Sequence, residues 1–327
     1  MNRLWPPNQR QTRAIAVIAA LVLLGLPVMM FVFAFRAWPS DAWTYLAAGE
    51  RLNAGHPLYE LGPNDRPVWL GPDPPPVPLL SPPPIAVLWR PIALLPAELA
   101  VFLWWFVSTL ALGVAVLSAV AHRPLFGVAA TAVFALPMSF LVVTGNVNLV
   151  LVAGAMAGWR LMVAGREQLA GCVFAALAAV KVVPVVLVAW LVAAGSWRAA
   201  LVMLIAGGAF LGLSFLGAGP ENHQAYLGVM RDTLTLDQSA LSLVGIGRSI
   251  GLPAPLASVL PFIALGLGLA VVWVAGRRGR TAASYTAAVF TMVWASPVVN
   301  FDWLALMFAG LAPAFWPLER GSPPSVT

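Results

Sequence analysis

The sequence lacks most of the charge that a water-soluble protein carries. Of its 327 residues, 9% are charged and 61% are hydrophobic, and the mean hydropathy is +0.88. Soluble globular domains are about half apolar and about a quarter charged. A packed soluble fold cannot bury this much apolar surface, so lipid must be the solvent for much of the chain. The composition therefore excludes an ordinary soluble enzyme, a disordered chain and a fibrous protein.

Several kinds of site are also missing. The single cysteine, Cys172, excludes a disulfide framework and a multi-cysteine metal site. His56 and His223 lack metal-ligand spacing, and no glycine-rich loop follows a predicted strand. We therefore expect no metal, no cofactor and no nucleotide-binding motif. The net charge is +6, but the basic residues are scattered between apolar runs, which is not typical of nucleic-acid binding.

The apolar runs predict an all-α, multi-pass membrane protein that forms a single domain over residues 1–327. The first transmembrane helix is expected at 14–35, an extracytoplasmic segment at 36–96 and a transmembrane bundle at 97–317. We count about eight full transmembrane helices, together with short broken or re-entrant helices. A signal peptide is the competing interpretation of the first run, but that run is long and no small-residue cleavage site follows it.

The segment after the first span contains an amphipathic pattern. Residues Asp41 to Asn53 predict an interfacial helix that Ser40 or Asp41 could cap. The following stretch, 62–84, is too rich in proline for a helix or a central strand. Farther along the chain, the sequence predicts a loop over Gly219 to Arg248 and a last span over 303–316.

Residues Leu169–Ala194 form an apolar run with Lys181 and Pro184 in its middle. The run fits either one helix with a buried lysine or two half-length helices that turn back at the lysine. The hairpin places most of the arginines, including those at 277–280, on the same side as the N-terminus. The positive-inside rule favours that arrangement, with the N-terminus in the cytoplasm of a bacterial cell and the polar loops outside.

Lys181 is the only lysine in the chain, and it lies between valine runs. Placing a lysine at the bilayer centre costs roughly 2.5–3.5 kcal/mol on insertion scales. One interpretation is that its side chain snorkels to the membrane interface. The other is that it binds an anionic group such as a lipid phosphate.

Asp41 lies five residues after Arg36, where the chain leaves the first span. The simpler interpretation is a helix N-cap. The alternative is a general base, because a carboxylate near an apolar cleft has a raised pKa and accepts a proton from a hydroxyl. The two roles are compatible.

A series of short motifs, taken in order, resembles glycosyltransferase family 87, whose members are GT-C fold membrane enzymes. The motifs are Asp41 with Tyr45 and Ala48, Gly55 to Tyr59, Ser81 to Ile85, Pro91 to Pro96, Gly145 to Asn148, Gly171, Lys181 to Pro184, Gln238-Ser239 and Ser296-Pro297. The resemblance runs over about residues 36 to 305. Members of the family resemble polyprenol-phosphate-mannose-dependent mannosyltransferases.

The resemblance implies that Asp41 is the catalytic base and that the sugar carbon is inverted as lipid phosphate leaves. We assign the donor phosphate to Lys181 and Arg248. Further candidate substrate contacts are Tyr45, His56, Tyr59, Asn146, Asn148, Gln238, Asn300 and Asp302. The chain departs from the family pattern twice. The family tends to have Gly-Gln before an asparagine, where this chain has Gly145-Asn146. The family also tends to have a histidine after Ser-Pro, where this chain has Asn300-Phe301-Asp302 and no histidine.

The sequence therefore predicts a membrane glycosyltransferase that moves a sugar, with mannose expected, from a polyprenyl-phosphate donor to a hydroxyl of a lipid or glycan acceptor. Its partners would be that donor, that acceptor and membrane lipids, and not nucleic acid. Two alternatives are a lipid or solute transporter and a non-catalytic membrane subunit with a degenerate GT-C fold. A transporter should show internal symmetry, and the two halves of this sequence show none beyond loosely similar hairpins.

Overall fold

The computed structural model describes residues 9–35, 39–61, 79–235 and 241–318, and this part of the chain is helical without any strand. The helices are α1 (Gln9–Phe35), α2 (Ser40–Asn53), α3 (Pro83–Ile92), α4 (Ala97–His122), α5 (Pro124–Thr144), α6 (Asn148–Val163), α7 (Glu167–Val180), α8 (Val186–Ala193), α9 (Trp197–Thr235), α10 (Leu243–Ser249), α11 (Ala254–Ala257), α12 (Leu260–Arg277), α13 (Thr281–Trp294), α14 (Leu306–Ala309) and α15 (Ala312–Phe315). Two short 3₁₀ segments, Val183–Val185 and Phe301–Ala305, precede α8 and α14.

Within the described residues, five helical segments are long and apolar enough to cross a membrane. They are Arg10–Met30, Ala97–His122, Pro124–Thr144, Trp197–Asp232 and Ala254–Arg277. Large apolar side chains are exposed along them, as lipid-facing positions require, because lipid and not protein covers them. The prediction of an all-helical, multi-pass membrane protein is confirmed at this level.

The chain builds two apolar cores. The larger core lies in the bundle and takes in residues from α1 and from α4 to α9 as well as from the C-terminal segments. The smaller core joins α2 and α3 to the start of α4, and Trp89 of α3 lies at its centre. The guanidinium of Arg90 donates to the carbonyl of Gly217 in α9 (2.7 Å) and to the side-chain oxygen of Asn53 (3.0 Å), so that α2, α3 and α9 are held as one layer.

The predicted hairpin at Lys181 is confirmed. Helix α7 ends at Val180, Lys181 has an extended backbone, and the chain turns back through the 3₁₀ segment into α8. Trp190 of α8 donates to the carbonyl of Thr281 at 3.2 Å and lies 5.8 Å from the ring of Trp159, near the end of α6. The chain therefore returns to the end of the bundle at which α7 began.

That end of the bundle carries a concentration of arginines. The loops between α4 and α5, α6 and α7, α8 and α9, and α12 and α13 all meet there, and Arg160 links two of these helix ends by donating to the Ser118 hydroxyl at 2.9 Å. We call this the basic end. Its arginines are Arg123, Arg160, Arg166, Arg198, Arg277, Arg278 and Arg280.

Two predicted boundaries are wrong. The predicted loop from Gly219 to Arg248 is largely helical, because α9 continues to Thr235 and α10 follows. Gly219 adopts a positive φ of 79°, which kinks α9, and Pro220 sits in the first turn of the second half, where a missing N–H breaks no helical hydrogen bond. The predicted span over 303–316 is not one helix but a 3₁₀ segment followed by the single-turn helices α14 and α15.

Candidate active site

The centre of the site is the tight turn between α5 and α6. Gly145 has a φ of 65°, a left-handed conformation that favours glycine, and it reverses the chain into Asn146 and Val147. Two tryptophans of α4 fix this turn. The indole N–H of Trp104 donates to the carbonyl of Gly145 at 2.8 Å, and that of Trp105 donates to the carbonyl of Val142 at 2.7 Å.

Gly145 also allows the start of α2 to lie directly on the turn. A Cβ atom at this position would lie 3.1 Å from the Cβ of Ala42 and 3.2 Å from the Cβ of Pro39, which is tighter than ordinary contact. The close approach brings Asp41 beside Asn146, whose side-chain amide donates to the Asp41 carboxylate at 2.5 Å. The geometry therefore depends on a residue without a side chain at position 145.

The predicted capping role of Ser40 or Asp41 is wrong. The N-cap of α2 is Pro39, and no side chain caps the helix. Asp41 lies in the first turn, where a carboxylate is favourable beside the positive end of the helix dipole. The carboxylate is therefore not used by the backbone of its own helix and is turned toward Asn146.

The environment of Asp41 shifts the pKa of its carboxyl toward neutral pH. The pKa is raised from 3.8 to about 7, chiefly by burial and then by the negative charge of Asp302. The hydrogen bond from Asn146 and the positive charge of Lys181 lower it, but they do not compensate for the burial. A carboxylate with a pKa near the working pH is suited to general-base catalysis.

Lys181 lies at the tip of the hairpin and faces the same turn. Its ammonium donates to the side-chain oxygen of Asn148 at 2.9 Å and sits 3.7 Å from the ring centroid of Trp303. The amide of Asn148 in turn donates to the Asp302 carboxylate at 3.4 Å. Cation–π contact with tryptophan and a hydrogen bond thus hold a positive charge between apolar helices.

The polar residues form two layers that differ in exposure. Asp41, Asn146 and Lys181 are partly exposed. Behind them, Asn148 is fully buried and Asp302 is 3% exposed. The first layer is therefore accessible at the protein surface, and the second layer supports it from behind.

Tyr45 connects this site to Ser81, just before α3. Its buried hydroxyl accepts from the backbone N–H of Val147 at 3.3 Å and hydrogen bonds to the side chain of Ser81. The hydroxyl of Tyr59 donates to the carbonyl of Ser81 at 3.0 Å, and its ring stacks on that of Tyr226 with 5.9 Å between centroids. Tyr59 is thus linked to Tyr45 through Ser81 and does not itself bond to the Gly145 turn.

Six of the residues predicted from the sequence meet in one group: Asp41, Tyr45, Asn146, Asn148, Lys181 and Asp302. Three others, His56, Arg248 and Asn300, are exposed, and none of the hydrogen bonds of this group extends to them. Gln238 lies outside the described residues. Sequence reasoning missed Trp303, because tryptophans near span ends are most simply membrane-interface anchors.

The ammonium of Lys181 has hydrogen-bond donors left for a ligand. Among the residues that the structure describes, no three His, Cys, Asp or Glu side chains are grouped to hold a metal ion. Lys181 uses one hydrogen bond and one ring face, and an ammonium has three donors. The ammonium of Lys181 can therefore donate to a ligand oxygen while it keeps its hydrogen bond to Asn148.

The bundle and its polar group define a multi-pass membrane protein with a carboxyl group and an ammonium close together at one end. The sequence profile of glycosyltransferase family 87 matches residues 80–297, more than half of the chain. The chain therefore belongs to glycosyltransferase family 87 and is a membrane glycosyltransferase. The matched region includes Asn146, Asn148 and Lys181, and it leaves out Asp41 and Asp302. Comparison with curated proteins and with solved structures gives no match.

Proposed function

We propose that this glycosyltransferase moves a sugar from a polyprenyl-phosphate donor to a hydroxyl of a lipid or glycan acceptor at the extracytoplasmic surface of the membrane. The observation that carries the proposal is that Asp41 and Lys181 belong to one hydrogen-bonded group, linked through Asn146 and Asn148. Three separate parts of the chain, α2, the Gly145 turn and the α7–α8 hairpin, bring a base and a cation to one partly exposed group. Sugar transfer from a phosphate needs both.

The reaction uses the two charges at opposite ends of the bond being exchanged. An acceptor hydroxyl beside Asp41 attacks the anomeric carbon, and its proton passes to the Asp41 carboxylate. A new C–O bond forms to the acceptor oxygen as the C–O bond to the phosphate breaks, and the phosphate leaves with that electron pair. Lys181 stabilises the negative charge that develops on the phosphate. Direct displacement inverts the configuration at the anomeric carbon.

The arginines support an orientation with the site outside. If the basic end is cytoplasmic, α1 starts in the cytoplasm and the site lies at the opposite face, in agreement with the positive-inside rule. We infer that the protein lies in a bacterial plasma membrane in this orientation. The family resemblance supports mannose as the transferred sugar and a cell-envelope glycolipid or glycan as the product.

The short helices support a GT-C fold with a recessed site. Helices α6, α7, α8 and α13 each have 8 to 16 residues, fewer than the roughly 20 needed to span a bilayer. Trp104, which fixes the Gly145 turn, lies seven residues into α4, or about 10 Å along its axis. Short helices packed among long spans support a site below the outer end of α4, where the phosphate of an embedded lipid could reach it. We infer that α6, α13 and the segment 301–315, although short, connect the two faces of the bundle, and that with the five long spans they make the eight crossings predicted from the sequence.

The experiment that tests the proposal is a transfer assay with purified full-length protein. The protein is incubated with radiolabelled polyprenyl-phosphate mannose and a bacterial membrane lipid extract, and products are separated by chromatography. We expect label to move to a lipid or glycan product, with release of polyprenyl phosphate in equal amount. A nucleotide sugar should not replace the lipid donor. Label transfer from a nucleotide sugar alone would contradict the assignment of the donor.

A further inference from the structure

The buried layer of the site contains a charge that the transfer reaction itself does not use. Asp302 is 3% exposed, so a substrate held by Lys181 and Asp41 does not touch it. Its carboxylate accepts from the Asn148 amide, and the backbone N–H of Trp303 also stabilises it. A buried carboxylate without a partner of opposite charge is costly, and the neighbouring cation is Lys181.

We propose that Asp302 is the counter-ion of Lys181 and that it acts through Asn148 as a positioning residue. Asn148 uses both ends of its side chain in this arrangement, because its oxygen accepts from Lys181 and its amide donates to Asp302. The bridge keeps the ammonium charged and fixed against Trp303 while no donor is bound. The inference rests on the proposed role of Lys181 in binding the donor phosphate.

Electrostatics explains why Lys181 needs such a partner. An ammonium between apolar helices loses its proton more readily than in water, and a nearby negative charge opposes that loss. Among the described residues, the titratable groups around Lys181 are Asp302, Asp41 and, behind Asp41, Tyr45. Asp41 is neutral or ionised according to pH. Asp302 is the more buried carboxylate of the two, and it lies behind Asn148, so a ligand bound at Lys181 does not displace it.

The test measures binding of a simple anion, with Asp41 removed as a source of pH dependence. All variants carry Asp41→Asn, and the probe is farnesyl methyl phosphate, a phosphodiester with one negative charge at every pH used. Binding to the purified full-length protein in detergent is followed by calorimetry from about pH 6 to about pH 8. The variants are Asp302→Asn, Lys181→Met, and Asp302→Asn combined with Lys181→Arg. Ser284→Ala, a buried change in α13 near the basic end, is the control.

We expect the parent protein and the control to bind the probe well at the acidic end and to lose affinity only toward the alkaline end, because the pKa of Lys181 is lowered to about 8. Asp302→Asn should bind as well at the acidic end and lose affinity at a lower pH than the parent, by about tenfold per pH unit once the lysine has lost half its protons. The double variant with Lys181→Arg should give a flat response, because a guanidinium stays charged throughout. If Asp302→Asn does not fold, Asn148→Leu breaks the same bridge and should show the same steep loss.

Two results separate this inference from the proposed function. If the parent binds the probe and Lys181→Met does not, the donor-phosphate role of Lys181 stands. An equal loss of affinity at every pH in Asp302→Asn, or an unchanged response, would then overturn the counter-ion role alone. Binding that does not depend on Lys181 would overturn both.

Discussion

The side-chain amide of Asn146 donates to the carboxylate of Asp41 across 105 positions of sequence. This contact joins the start of α2 to the turn between two bundle helices. The side chain of Thr144, at the end of α5, also hydrogen bonds to this carboxyl. The protein thus fixes the direction of its candidate base without neutralising it.

The pH dependence of transfer should report the state of Asp41. The pKa of its carboxyl is raised to about 7, and a base acts only when ionised. We expect kcat/KM to be low on the acidic side and to increase with pH through about pH 7. The measurement is a rate profile at limiting donor concentration. An acidic limb that lies below about pH 5 would mean that Asp41 is solvated like an ordinary carboxylate.

Substitution of Lys181 should affect the donor more than the acceptor. Lys181→Met keeps the apolar stem and removes the charge. A hydrogen bond to a charged group is worth about 1.5–3 kcal/mol, which corresponds to a roughly ten- to hundredfold loss of donor affinity or turnover. Lys181→Arg keeps the charge in a planar shape and should be partly active. The measurement is the dependence of the rate on each substrate in turn.

The snorkelling interpretation makes the opposite prediction for Lys181. A lysine that only reaches for the interface costs free energy in hydrocarbon, so Lys181→Met would be neutral or stabilising. An unchanged donor response in Lys181→Met would leave only this structural role.

Gly145→Ala should impair activity through the placement of α2. Gly145 has a φ of 65°, and an added Cβ would press on Ala42 and Pro39. A left-handed conformation costs a non-glycine residue of the order of 1–3 kcal/mol. We expect a loss of thermal stability together with a loss of transfer larger than tenfold, since misplacement by about 1 Å costs roughly a hundredfold.

Gly165→Ala is the matched control for that experiment. Gly165 has a similar φ of 72° at the basic end, and nothing lies within 4 Å of an added Cβ there. It should lose similar stability and keep its activity. Equal activities in the two variants would show that the fit of α2 on the turn does not matter for catalysis.

The hairpin predicts the side from which position 181 is reached. We expect Lys181→Cys, in a Cys172→Ala background, to react with impermeant thiol reagents added on the extracytoplasmic side. Gly279→Cys at the basic end should react from the cytoplasmic side and serves as the control. Labelling of position 181 from the cytoplasmic side alone would contradict the orientation of the hairpin.

Much of the site could be predicted because charge is rare in this sequence. Each polar residue placed between apolar runs needs a reason, so Asp41, Lys181 and Asp302 could be identified without a structure. The amphipathic helix α2 and the hairpin followed from periodicity and from the distribution of arginines. Hydropathy could not show that Trp303 packs on Lys181, because the same residue type marks the membrane interface.

The wrong boundaries have a common physical cause. Hydropathy reports which residues can lie in lipid and says little about whether the backbone stays helical there. Gly219-Pro220 reads as an end of α9, but the helix resumes after a kink because proline is tolerated in a first turn. The run after Asp302 is apolar enough for a span, and it is broken into short pieces beside the site.

The central claim is that Asp41 removes the proton from the acceptor during sugar transfer, and Asp41→Asn tests it most directly. Asparagine has nearly the same shape and cannot take the proton. A positioned general base contributes roughly 10²- to 10⁴-fold to a rate, so we expect label transfer from polyprenyl-phosphate mannose to fall by that factor. Thermal stability should not decrease, and Glu60→Gln, an exposed carboxylate beyond the end of α2, should transfer at the wild-type rate. Near-wild-type turnover by folded Asp41→Asn protein would contradict the account.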